Sequence, residues 1–317
     1  MDALAGLLDG PRARRAFLLR SILAPPWSMS IRDEAPLTVV AVLRGTASIT
    51  PAGGQEARIG PGDVAIACGP THYTVADAPD TPVQVIIHPG QRCTTVDGRP
   101  AYADLDLGVR SWGNDPDGDT VLLTGTYHFD GEVSGRLLRA LPTLLVLAEN
   151  EWDGALIRLL AAEIVKDEPG QEVVLDRLLD LLLITTLRVW FSRPDAQAPA
   201  WYQAQSDPIV GKAIRLLHHN PAHPWTVAAL ADAIGVSRAT LARRFTELVG
   251  EPPMSFLTGW RLAIAADLLR EPDVTVSAVA QRVGYSSPFA LSTAFKRLWG
   301  VSPRQHRARD LLAGSSH

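Results

Sequence analysis

One pattern is written twice near the end of this chain: TVAALADAIGVSRATLARRFTELVGEPP from Thr226 to Pro253, and TVSAVAQRVGYSSPFALSTAFKRLWGVSP from Thr275 to Pro303. Gly235 and Gly284 stand about 49 residues apart, and Phe245 and Phe295 about 50, which is the self-similarity of a repeated supersecondary unit. Each copy reads as a helix, a turn at glycine and a second helix. Thr226 and Ser237 are placed to cap the two helices of the first copy, and Thr275 and Ser287 those of the second, with Pro288 at a first helical position.

The faces of the second helices follow from a turn of about 100° per residue. In the first copy Leu241, Phe245 and Leu248 form an inward stripe, so Ala239, Arg243 and Thr246 point outward, with Arg238 in the first turn and Arg244 beside the same face. In the second copy Leu291, Phe295 and Leu298 point inward, and Phe289, Thr293, Lys296 and Arg297 point outward. An arginine on a short second helix pairs bidentately with guanine in a major groove, and small neighbours such as Ala239 and Ala242 let the helix come close. Lys296 and Arg297 suit phosphates, as do Ser286, Ser287 and the helix N-terminus they flank. Between the copies, Pro253 to Leu269 reads as one helix of about 17 residues, near 25 Å, a spacer that sets two recognition helices on one side of a duplex.

Charge supports this reading once it is divided. The 317 residues carry a net charge of −4, which argues against nucleic acid. From Ser206 onward, however, 13 Lys and Arg stand against 8 Asp and Glu, a surplus of +5, so the preceding part carries −9. A basic module attached to an acidic one is the expectation. Two cysteines make no disulfide framework, and the N-terminal stretch mixes acids and arginines where a signal peptide needs an apolar core, so a cytoplasmic protein is expected. The most apolar run, Leu178 to Phe191, is interrupted by Asp180 and Arg188 and reads as a buried helix rather than a membrane span.

The acidic part has a different texture. Met1 to Leu23 reads as an amphipathic helix with Arg12, Arg14, Arg15 and Arg20. From Trp27 to about Val85 come short β-branched runs between Gly and Pro turns, the pattern of a small antiparallel barrel or sandwich, with GPGD at Gly60 to Asp63 as a tight turn. GNDPDGD, Gly113 to Asp119, reads as an exposed turn whose spacing fits no EF-hand loop. GRLLRALPTLLVLAEN, GALIRLLAAEIVKDE and EVVLDRLLDLLLITTLRVWF then show helical periodicity, the last with an apolar side wide enough to cover a second copy of the chain. The fold class is therefore α+β: a sensing and dimerisation domain over 1–191, a linker over 192–206 rich in Pro, Ala and Gln, and a double helix-turn-helix domain over 207–310.

VGYSSPFALSTAFKRLWGVSPRQHR, Val283 to Arg307, closely resembles the signature of the AraC/XylS-family transcription regulators. The resemblance covers Ile214 to Arg307. It implies seven helices, and base contacts at Ala239, Ala242, Arg243, Pro288, Phe289 and Thr293. Several of these are small or apolar here. The N-terminal part is similar to the cupin-type sensing domain of one branch, with GPGDVAI as the landmark. That implies a small-molecule or stress signal, a homodimer, recruitment of RNA polymerase at promoter DNA, and activation.

The rival reading is a cupin-type metal-dependent enzyme fused to a DNA-binding domain. Such a site needs His-x-His, Glu and a later His. RDEAPLTVV, before Gly45, has no histidine, and the later position is Ala65. No cofactor is expected. His72, His88, Cys93 and His128 remain as candidates for an effector or metal site, Cys93 also as an oxidant-sensing thiol, and Cys68 with Cys93 as a regulatory disulfide.

Overall fold

Twelve strands build the N-terminal part of the computed structural model, which describes residues 17–101, 103–127, 131–193, 198–271 and 273–314. They are β1 (Phe17–Leu23), β2 (Ser28–Ile31), β3 (Leu37–Arg44), β4 (Ala47–Pro51), β5 (Ala57–Ile59), β6 (Val64–Cys68), β7 (Tyr73–Ala76), β8 (Val85–His88), β9 (Arg92–Thr95), β10 (Ser111–Trp112), β11 (Thr120–Tyr127) and β12 (Leu144–Leu147). Two six-stranded sheets result, ordered β10-β1-β11-β3-β6-β12 and β5-β4-β7-β2-β8-β9. Their inner residues form one core containing Trp27, Val42, Ile49, Ile59 and Leu122.

The expected GPGD turn carries the chain from β5 in one sheet to β6 in the other. The Asp63 carboxylate accepts from Gly60 N at 2.7 Å and from Glu149 N at 2.8 Å, pinning the turn to a later loop. Gly62 has φ +86°, and a Cβ there would lie 2.6 Å from Glu149 Cγ, so both backbone and space demand glycine. GNDPDGD is a turn as expected, with Asn114 held on Ala24 by two 2.8 Å hydrogen bonds.

Two expectations are corrected in this half. Residues 17–23 are not the end of a helix but strand β1, paired along its whole length with residues 120–126 of β11. Long-range pairing overrides the local helical pattern. The rest of that expected helix, with Arg12, Arg14 and Arg15, lies outside the described residues. GRLLRALPTLLVLAEN is not one helix: α1 (Glu132–Leu138) ends before Pro142, and Leu144–Leu147 becomes β12 against β6.

α2 (Ala155–Glu163) and α3 (Gln171–Ser192) follow, and α3 lies on β11. Gly125 makes room, since a Cβ there would fall 2.5 Å from Leu179 Cδ1, and the Tyr127 hydroxyl donates to Leu179 O at 2.7 Å. The apolar run 178–191 is thus a packed helix with Leu182, Leu183, Leu187 and Phe191 buried. Among the described residues no helix is long and apolar enough to cross a membrane.

The chain falls into two units, the second built from 198–317 together with 130–137. Its helices are α4 (Ala200–Gln203), α5 (Val210–His219), α6 (Val227–Ile234), α7 (Arg238–Val249), α8 (Pro253–Leu268), α9 (Val276–Arg282), α10 (Pro288–Trp299) and α11 (Pro303–Gly314). The expected linker is shorter than 192–206. α3 runs to Ser192, while residues 200–206 fold as α4 and a 3-10 turn, with Ala204 buried and Trp201 packed on the first helical core.

The expected spacer helix is present as α8, 16 residues long, and belongs to both copies of the repeat. Phe256 and Leu257 complete the core around Leu241 and Phe245, whereas Leu262, Ala265, Ala266 and Leu269 complete the core around Leu291 and Phe295. A second tie joins the copies: Gly284, at φ +82°, abuts the backbone of Ala222, where a Cβ would meet the carbonyl oxygen at 2.5 Å. Arg261 of α8 donates to Pro221 O and His223 O at 2.6 and 2.7 Å, fixing the same loop. The helix-turn-helix motifs are held in one mutual orientation by a shared helix and a clamped loop.

Candidate nucleic-acid interface and sheet cavity

All four expected caps form. Thr226, Ser237, Thr275 and Ser287 accept through their side chains from Ala229, Thr240, Ala278 and Ala290 N respectively, the backbone donors three residues on. Each cap fixes where its helix starts, and therefore the direction of every later side chain.

The consequence is visible residue by residue. Over twelve consecutive positions α7 and α10 have the same sequence of exposed, half-buried and buried residues. Exposed positions 238, 239, 243, 246, 247 and 248 correspond to 288, 289, 293, 296, 297 and 298. Leu241, Phe245, Leu291 and Phe295 are wholly buried as expected. Leu248 and Leu298 are not: they are 39% and 55% exposed. Each shares the angular stripe of Leu241 or Leu291, so the last turn runs past the residues that cover it.

The six outward positions are nearly all different between the copies. In α7 the cations Arg238 and Arg243 stand in the first half, and Glu247 in the last turn; in α10 the first half presents Pro288, Phe289 and Thr293, and the cations Lys296 and Arg297 stand in the last turn. Phe289 is 81% exposed, an unusual position for a phenylalanine without a partner surface. Thr293 Oγ1 donates to Phe289 O at 3.0 Å, one turn back along the helix. Ser286 is exposed before the cap, and Ala239 and Ala242 leave the α7 surface low.

Adjacent arginines on α7 have separate fates. Arg243 Nη1 reaches Glu247 at 2.8 and 2.9 Å, an exposed i,i+4 pair that opens at little cost. Arg244 turns inward: Nε and Nη2 donate to Asp207 Oδ2 at 2.8 and 2.6 Å. Asp207 Oδ1 accepts from Ile209 and Val210 N at 2.9 and 2.8 Å, capping α5. Burial alone would raise the Asp207 carboxyl; the hydrogen bonds from Arg244 and the two amides outweigh it and hold the group below the usual range. Arg244 therefore fastens α7 to the start of α5, a role its sequence position beside Arg243 does not announce.

Asp267, in the last turn of α8, accepts from Glu132 N and Val133 N at 2.6 and 3.1 Å and so caps α1. Burial raises this carboxyl above its ordinary value despite the two amides. The segment 131–137 thus packs with the helical unit although β11 ends only a few residues before it.

A cavity of about 60 Å³ lies inside the sheets. Met29, Val40, Val75 and Leu122 supply its apolar wall, and Asp33, Tyr73, Gln91, Cys93 and Trp112 its polar points. Asp33 Oδ1 accepts from Ala35 N at 3.1 Å. Tyr73, pushed well above its ordinary range by burial and then by Asp33, is hydrogen-bonded to Thr38. The Nε1 of Trp112 and the Nε2 of Gln91 are buried without a hydrogen-bond partner among the described residues.

Of the residues expected to hold an effector or metal, Cys93 alone among the described ones lines this cavity. His72 is exposed, His88 Nε2 pairs with Thr94 Oγ1 at 2.8 Å, and His128 lies outside the described residues. Among the described residues no group of three or more His, Cys, Asp and Glu is arranged to hold a metal ion. Both cysteines are buried, unbridged thiols; burial pushes Cys93 up to about 11 and Cys68 up to about 12. Ala65 sits in the core where a cupin metal site would need its later ligand. Asp33, Tyr73, Gln91 and Trp112 were missed from the sequence because they come from separate strands and loops and share no motif.

Known proteins agree with both halves. A cupin family model matches residues 2–192 and a helix-turn-helix domain model residues 230–309. An AraC-like transcription regulator of Streptomyces lividans is 32% identical over 98% of this chain and all of its own length. A second, of Streptomyces antibioticus, is 36% identical over 68% of this chain and 72% of its own. The HTH-type transcriptional regulator AlkR of Acinetobacter baylyi is 28% identical over 98% of this chain and all of its own length. With paired, capped helix-turn-helix units, a two-sheet N-terminal domain and relatives matched from end to end, this chain belongs to the AraC-like transcription regulators as a DNA-binding member with a cupin N-terminal domain.

Proposed function

We propose that this regulator is an effector-responsive activator: a small molecule enters the cavity between the sheets, and its presence changes how the helical domain engages promoter DNA and RNA polymerase in the cytoplasm. The observation that carries the sensing part is the cavity itself. One of its walls is β11, through Leu122, Thr124 and Thr126, and β11 leads within a few residues to α1, which Asp267 of α8 caps. A shift of β11 on ligand binding is then felt at the helix shared by both DNA-binding cores, which is the differential contact a population shift requires.

On DNA the two units divide the work. Arg238 and Arg243 occupy the first half of α7, the part of a recognition helix that reaches base edges. α7 is the base reader, with Ala239 and Ala242 permitting close approach and Ser237 fixing the start. α10 places Phe289 and Thr293 against the groove, while Lys296, Arg297, Ser286 and the Ser287-capped N-terminus grip phosphates. Dimerisation through α2 and α3 is supported by exposed Leu159, Val173, Val174 and Leu181, although Arg177 and Arg188 interrupt that surface. The sheets carry no catalytic role in this reading, in keeping with relatives named as transcription regulators.

Footprinting of the full-length protein on genomic DNA identifies the operator, and a reporter on that operator then compares the wild type with Val75→Phe, which fills the cavity. Altered promoter output with operator binding retained is expected. Output identical to the wild type across growth conditions refutes sensing through the cavity.

A further inference from the structure

We infer that α10 selects thymine in its half of the operator, the Phe289 ring covering the 5-methyl group with Pro288 and Thr293 beside it, whereas α7 reads its half by hydrogen bonds. This rests on the reading above that places α10 against the groove, and adds the base it selects and the chemistry of the selection.

Two observations on α10 carry the argument. Phe289 is 81% exposed at the position where α7 has the exposed Ala239, so the second copy raises a bare ring where the first keeps a low surface. An aromatic ring left in water gains when a partner surface covers it. The first half of α10 also has no side-chain hydrogen to offer a base. Between Pro288 and Thr293 only Ser292 and Thr293 carry hydroxyls, and these donate to the carbonyl oxygens of Pro288 and Phe289 at 2.7 and 3.0 Å. Pro288 lacks even a backbone N–H, and that of Ala290 is taken by the Ser287 cap.

The base edges then decide which partner fits. Guanine presents acceptors in the major groove, and adenine an acceptor beside a donor, so both are read by side chains that hydrogen-bond. Arg238 and Arg243 supply such groups on α7, and the first half of α10 has no counterpart to them. Thymine alone carries a hydrocarbon group on that edge, the 5-methyl, which a phenyl ring covers without any donor. Lys296 and Arg297, in the last turn of the same helix, are complementary in charge to a phosphate backbone, so the occupant of this face is DNA.

Single thymine→2′-deoxyuridine replacements across the footprinted operator, each deleting one methyl group, test the assignment with the full-length protein by fluorescence anisotropy. At the contacted thymine the wild type should lose about fourfold in affinity, the worth of one buried methyl. In Phe289→Ala, whose lost ring stands outside the helical core, that position should bind equally well with thymine or uracil. Arg243→Ala should keep the thymine-to-uracil ratio at lower affinity. 5-Methylcytosine at the same position, which puts a methyl in the same place on a G·C pair, should bind the wild type more tightly than cytosine. The assignment is overturned if no replacement weakens binding, or if Phe289→Ala keeps the wild-type ratio. The two readings separate in the same data. A weaker operator in Phe289→Ala with no uracil-sensitive position keeps α10 on the DNA without a methyl contact, whereas unchanged operator affinity with reduced promoter output moves Phe289 onto RNA polymerase and removes both.

Discussion

Arg243→Ala separates base reading from structural support, because its neighbour Arg244 provides an internal control. Arg243 is exposed, and it forms a surface ion pair with Glu247 at 2.8 Å. Breaking such a pair costs about 0.2–1 kcal/mol, whereas a bidentate arginine–guanine contact discriminates by about 1–3 kcal/mol. The net loss on truncation is then about 1–2 kcal/mol, roughly a 5- to 30-fold weaker operator affinity. Non-specific affinity should fall by much less, and the urea midpoint should stay near that of the wild type. Arg244→Ala should do the reverse: its guanidinium donates twice to Asp207, so the helical unit loses stability first and DNA affinity only in proportion to unfolding. Fluorescence anisotropy on operator and scrambled duplexes at one fixed salt concentration, alongside denaturation curves, measures all four quantities. If Arg243→Ala weakens operator and scrambled duplex equally, or if Arg244→Ala loses specificity at unchanged stability, the assignment of α7 faces is wrong.

Three further outcomes are expected. Lys296→Ala should weaken binding to all duplexes alike and reduce the slope of log affinity against log salt by about 1, read from anisotropy at several salt concentrations. The Asp207 carboxyl titrates below its unfolded value of 3.8, so its contribution is complete above that value and is lost as pH falls through the window beneath it. Acid denaturation followed by circular dichroism should therefore begin at higher pH in Asp207→Ala, which also loses a helix cap worth about 0.5–2 kcal/mol. Cys93, pushed up to about 11, has very little thiolate at neutral pH, so iodoacetamide should alkylate it about two orders of magnitude more slowly than a solvent thiol. Rapid modification would restore it as a redox sensor.

The helical half was legible because its instructions are local. A threonine or serine cap, an apolar pair four residues apart and a turn glycine each act within one helix, and the structure realises all of them at Thr226, Ser237, Thr275 and Ser287. Failures there were failures of range. Leu248 and Leu298 lie on the right stripe but beyond the packed neighbours, and Arg244 answers to Asp207, 37 residues away. In the sheet half the instructions are long-range throughout. β1 is a strand because β11, about a hundred residues later, pairs with it, and Leu144–Leu147 because β6 does.

The same distinction explains why the outward faces of α7 and α10 could be read from the sequence and the cavity could not. Packing fixes four wholly buried positions in α7 and α10 together, Leu241, Phe245, Leu291 and Phe295, and leaves the outward positions unconstrained by the fold. Cations collected there, Arg238 and Arg243 early in one helix and Lys296 and Arg297 late in the other, have no packing purpose to serve. Their chemistry can be read directly as chemistry toward a partner. Trp112 offers no such contrast, since a buried tryptophan in a core needs no further explanation until its N–H is seen to lack an acceptor. Gln91 alone would pass as a loop residue, and Asp33 as a turn. Only the fold brings them to one void, from three segments of the chain, and that convergence is a property of the strand order rather than of any stretch of sequence.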